Sequence, residues 1–158
     1  MSTVSIKNLT RRSIAQRAVF SSIANEILHN WDISLVFVSP ARARALNFKL
    51  RKKTYTPNVL SYELGPHSGE IIICPREAEK QAPLFCLEPS AYCLYLFIHG
   101  LLHLKGWAHG DTMERCEKKL LLKFNKNIAF PLLHETTHRH RHRHRHVPSK
   151  NGRRRGAL

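Results

Sequence analysis

The sequence predicts an α+β fold: a single small domain in which a mixed β-sheet of about four strands is packed with helices. Three observations lead there. Short β-branched runs alternate with segments of helical periodicity, and no internal repeat recurs. The 158 residues suit one domain around one hydrophobic core. At 42% hydrophobic residues the chain is too apolar to be disordered throughout. Its longest apolar run, Ala91 to Leu104, still contains His99 and His103 and falls short of the ~20 residues a membrane span needs. No membrane association is therefore expected.

Taken in order, Val4–Leu9 reads as a short strand. Ile14, Ala18, Val19, Ile23 and Ile27 recur at helical spacing, which predicts an amphipathic helix over 11–29. Ile33–Val38 is a continuous β-branched run, hence a buried strand. Ser39-Pro40 supplies an N-cap and a first-turn proline for a helix to about Leu50. A basic loop is expected from Arg51 to Pro57. Two strands, Val59–Glu63 and Glu70–Cys74, follow, with Gly65-Pro66-His67-Ser68-Gly69 turning between them. Pro75–Gln81 reads as a helix, and Pro89-Ser90 opens the apolar helix that ends before Gly106. Asp111-Thr112-Met113-Glu114 has the form of an N-cap with Glu at N3, beginning a last helix to about Phe124.

Charge divides the chain. It holds 26 Lys+Arg against 11 Asp+Glu, a net charge of +15, and 11 histidines. Residues 134–158 carry +7 of that charge and six of the histidines, five of them in Arg-His alternation. This segment cannot bury enough apolar area to offset its ordering entropy and is expected to be disordered when free. The expected organisation is thus a catalytic domain over 1–133 and a basic tail over 134–158. Both parts favour a polyanionic partner, bound with strong salt dependence. The four cysteines, Cys74, Cys86, Cys93 and Cys116, show no C-x-x-C spacing, and no secretory pattern is read at the N-terminus. Buried, reduced thiols in a cytoplasmic protein are expected.

Three of the five histidines outside the tail fall within the segment His99-Gly-Leu-Leu-His103-Leu-Lys-Gly106-Trp-Ala-His109. Positions i and i+4 share a helix face, so His99 and His103 can direct imidazoles at one ion. Gly106 can take the positive φ that ends a helix and turns His109 back toward them. A single histidine on an apolar helix is most often a packing residue; three at this spacing point to a metal. Three neutral imidazoles suit zinc, one ion per chain, and leave a fourth position for water or substrate. The metal site is accordingly expected at the end of the central apolar helix. The same spacing occurs in H-E-x-x-H-x-x-G-x-x-H proteases, but Gly100 stands where those carry their glutamate base, so peptide hydrolysis lacks its general base.

The block from His99 to His109 resembles the signature H-G-x-L-H-L-x-G-[YF]-x-H of the YbeY family of metal-dependent endoribonucleases. Leu46-Asn47, Arg51 and Asn58-Val59-Leu60-Ser61-Tyr62 resemble a second family block, and Gly69-Glu70-Ile71-Ile72-Ile73-Cys74 a third. Together they cover roughly residues 30–125. Ala108 replaces the family's usual aspartate before the third histidine, and Trp107 replaces its tyrosine or phenylalanine. The resemblance implies zinc on His99, His103 and His109 and places Arg51 in the active-site cleft. There a guanidinium can clamp a phosphodiester and stabilise developing charge. It implies single-strand-specific cleavage of RNA in ribosomal RNA maturation and ribosome quality control, with no small-molecule cofactor. The competing expectation is an RNA- or ribosome-binding protein with a structural zinc closed by a fourth ligand such as Asp111.

Overall fold

The computed structural model describes residues 1–14 and 17–126. Its elements are β1 (Thr3–Asn8), α1 (Arg17–Ile27), β2 (Asp32–Phe37), α2 (Pro40–Arg51), β3 (Val59–Gly65), β4 (Ser68–Ile73), α3 (Pro75–Gln81), a 3-10 turn (Ala82–Phe85), α4 (Pro89–Leu104) and α5 (Asp111–Phe124). The expected α+β class, with its four-stranded mixed sheet, is what folds. Strand order is β1-β2-β4-β3; β1, β2 and β4 run parallel, and β3 is antiparallel to β4.

Strand alternation sorts the sheet's side chains into two layers. Ile33, Leu35, Phe37, Ile71 and Ile73 face α1 and α4, whereas Val36, Val38, Leu60, Ile72 and Cys74 pack with Ala43 and Leu46 of α2. Helix α4 is apolar almost all round because it lies between the sheet and α1, α3 and α5. Phe97 meets Phe20 edge to face with ring centroids 5.0 Å apart, and Phe20 meets Phe37 at 6.2 Å. Burial of each such side chain contributes about 1.5–3 kcal/mol. Gly100 brings α4 close to the sheet: a Cβ there would stand 3.1 Å from Ile71 Cδ1.

Several boundaries differ from the sequence reading, each for a local reason. Helix α1 is described from Arg17, and residues 11–14 are not helical, because Asn8 organises them: its side chain accepts from the Thr10 backbone N–H at 3.0 Å and donates to the Arg12 carbonyl at 2.7 Å. Arg51 closes α2 rather than opening the loop, which begins at Lys52 with φ 56°. The β3–β4 turn contracts to Pro66-His67 because the strands extend to Gly65 and from Ser68. Gly110, not Asp111, occupies the cap of α5; Asp111 is the first helical residue, where with Glu114 it complements the helix dipole. Ser39 does cap α2, accepting from the Arg42 N–H. The cysteines are unbridged, but only Cys74 is buried; Cys86 is exposed and Cys93 and Cys116 are half-buried. The expectation of a disordered tail, and the boundary at residue 133, lie outside the described residues.

Candidate metal centre

Along α4, Tyr92, Tyr95, His99 and His103 follow one another at i+3 or i+4, forming a polar stripe on an otherwise apolar helix. The helix ends in a Schellman arrangement: Gly106 N–H donates to the His103 carbonyl at 2.9 Å and Trp107 N–H to the Leu102 carbonyl at 3.0 Å. That arrangement requires positive φ at one residue, and Gly106 supplies it at φ 91°. The reversed chain brings His109 against the helix, its ring centroid 4.5 Å from that of His103 and 5.1 Å from that of His99. One ligand atom from each of the three histidines lies within 4.8 Å of the others.

The hydrogen bonds behind the rings decide which nitrogens face inward. A carbonyl only accepts, so His103 Nδ1 donates to the Trp107 carbonyl at 2.9 Å and its Nε2 keeps a lone pair. The Glu117 carboxylate, 2% exposed, accepts from His99 Nδ1 at 2.7 Å and from the Tyr95 hydroxyl at 2.7 Å. His99 Nε2 is thereby also left as an acceptor. The two Nε2 atoms stand 3.0 Å apart. Two lone pairs at that separation repel unless a cation lies between them. Zinc–nitrogen bonds of about 2.0–2.1 Å in a tetrahedron put imidazole nitrogens about 3.3 Å apart, close to the spacing seen. Burial, and next the repulsion that a second imidazolium would meet beside His99, hold His103 below the usual histidine pKa of 6.5, which favours the neutral form a ligand needs. Burial and the hydrogen bond to Glu117 raise the Tyr95 hydroxyl, so it stays protonated and donating. The donor set fits a divalent metal.

Of the residues singled out from sequence, His99, His103 and His109 come together as their spacing requires. Arg51 is exposed at the C-terminal end of α2, a helix whose buried residues pack on the layer of the sheet opposite α4. Asp111 is exposed at the head of α5, and among the described residues the cluster contains the three histidines and no fourth acidic or thiol ligand. Position 100 faces Ile71 and the sheet, so a glutamate there would enter the core instead of the site. Sequence reasoning missed Glu117. The available signal was an acid on the apolar stripe of α5, among the buried residues Met113, Leu120 and Leu121.

The sequence model for the endoribonuclease YbeY family matches residues 2–138. This chain belongs to the endoribonuclease YbeY family. Curated YbeY relatives include that of Neisseria meningitidis (serogroup C, strain FAM18), 34% identical over 122 residues, covering 67% of this chain and 71% of the relative. That of Xylella fastidiosa (strain 9a5c) is 32% identical over 120 residues, with 66% and 73% covered. Both are described as endoribonucleases. The fold is similar to the solution structure of TM1509 from Thermotoga maritima, with a TM-score of 0.60, 23% identity, and coverage of 77% of this chain and 89% of that one. Membership of the YbeY family places the chain among endonucleases that hydrolyse RNA, and its histidine triad is compatible with a metal site.

Proposed function

We propose that this chain is a single-strand-specific endoribonuclease acting in ribosomal RNA maturation and ribosome quality control, with one zinc ion held by His99, His103 and His109. The observation that carries this reading is the pair of inward Nε2 lone pairs 3.0 Å apart, each fixed by a hydrogen bond at Nδ1, with the third imidazole beside them. When bound, zinc with three protein ligands would supply an acidified water or a polarised phosphodiester oxygen. The protein's own groups do the rest. Glu117 orients His99, the Trp107 carbonyl orients His103, and the Schellman turn carries His109. Arg51, whose guanidinium is permanently charged, takes the role of phosphodiester clamp, gripping the strand at the C-terminal end of α2 as it passes toward the histidines. Residues 1–133 form the catalytic unit and 134–158 a basic appendage that adds sequence-independent attraction to RNA. A cytoplasmic location accords with this substrate. Among the described residues no single helix is long and apolar enough to cross a membrane.

Chelator treatment followed by zinc readdition tests the reading. Cleavage of single-stranded RNA is expected to disappear with chelation and return with zinc, while a duplex of the same sequence survives throughout. Undiminished cleavage by the chelated protein would overturn it.

A further inference from the structure

Helix α2 presents an outer face that the histidine site does not use. Between Asp32 and Glu63 the chain has no acid, yet it carries Arg42, Arg44, Lys49, Arg51, Lys52 and Lys53. All six are exposed, and none forms an ion pair with a described carboxylate. In the middle of this face stands Phe48, 55% exposed. Helical spacing sets Arg44 four residues before it and Arg51 three after. Lys52 Nζ lies 5.8 Å from its ring centroid. Tyr55, 53% exposed, is held beside the helix because Asn47 Nδ2 donates to its carbonyl at 2.9 Å. A face that served only to solvate the chain would need the cations and not two exposed aromatic rings among them.

Cations that track a phosphate backbone, interleaved with aromatic rings on which unpaired bases stack, are the combination by which proteins hold single-stranded nucleic acid. We propose that the outer face of α2, with the loop to Tyr55, is the docking surface for single-stranded RNA, bases stacking on Phe48 and Tyr55 while the cations meet phosphates. This rests on RNA being the substrate and deepens that reading by locating where the strand is held. Edge strand β3 separates this surface from the histidines: its Leu60 packs toward α2, and α4 crosses its other side. A strand docked on α2 therefore reaches the metal centre around the β3 edge.

The test uses the full chain in chelator, so that the RNA stays intact, and reads fluorescence anisotropy of a labelled oligouridine of about twenty nucleotides and of an RNA duplex of equal length. Phe48→Ala is expected to weaken single-strand binding about tenfold, the loss of one stacked base, and to leave duplex binding unchanged. The double variant Arg44→Glu/Lys49→Glu is expected to weaken both and to lower the salt-dependence slope for the single strand by about 0.7 for each phosphate no longer neutralised. Unchanged single-strand affinity in Phe48→Ala, or an equal loss on the duplex, would overturn the stacking surface. Unchanged affinity in the charge variant would overturn α2 as the docking face. Metal-restored cleavage measured in parallel separates the two readings. Wild-type protein that binds through α2 without cutting contradicts the nuclease assignment alone; variants that bind as wild type in a protein that cuts contradict this proposal alone.

Discussion

Replacing Glu117 by glutamine keeps an acceptor beside His99 Nδ1 but removes the charge that favours the Nδ1–H tautomer. Hydrogen-bond partners behind metal-bound histidines typically govern affinity by 10–100-fold, so Glu117→Gln is expected to weaken zinc binding by about that factor, measured by competition with a chromophoric chelator. Wild-type affinity in the variant would show that Glu117 only packs. The thiols separate by environment. Burial pushes Cys93 up to about 11, leaving on the order of one thiolate in a thousand at pH 8. Burial also raises Cys74. Alkylation at pH 8 is expected to label exposed Cys86 first, with Cys93 gaining reactivity only as pH rises toward 11; mass spectrometry of the labelled sites reads the order. The three histidines were legible in the sequence because i, i+4 and a glycine turn are local geometry. Glu117 was not, since its partner lies 18 residues away and only the packing of α5 on α4 joins them.

At the scale of elements, α4 and the turn after it act as one unit, since the same residues that stop the helix direct the third histidine. Gly106→Ala would force a Cβ into φ 91°, at a cost of about 1–2 kcal/mol. The variant is expected to melt lower and to bind zinc more weakly, because relaxing the strain displaces Trp107 and His109 together; thermal unfolding and metal titration check this. A lower melting temperature with unchanged zinc affinity would uncouple the turn from the site. Most elements were readable from periodicity and from the Ser39-Pro40 and Pro89-Ser90 starts. The misplaced ends have a common cause. At Asn8 and at Asp111, short polar side chains that cap or turn in either of two ways were decided by the neighbouring backbone, which a single sequence does not display.

Across the whole molecule, the sheet keeps two kinds of chemistry apart: a partly buried histidine centre on the α4 side and an exposed cationic, aromatic face on the α2 side. The net charge of +15 announced a polyanionic partner but not its place, because charge counts carry no layer assignment. Strand alternation gives that assignment once the register of β2, β3 and β4 is known. Everything functional then depends on whether the three imidazoles hold a metal that acts on RNA. His103 is the residue to remove, since its ring centroid lies 4.5 Å from each of the other two and no fourth ligand residue joins the cluster among the described residues. In the full chain, bound zinc in wild type and His103→Ala is to be counted after dialysis against a weak chelator that strips the tail histidines, alongside cleavage of single-stranded RNA. The account predicts one zinc fewer per chain and loss of cleavage in the variant. Equal zinc content with cleavage intact would contradict it.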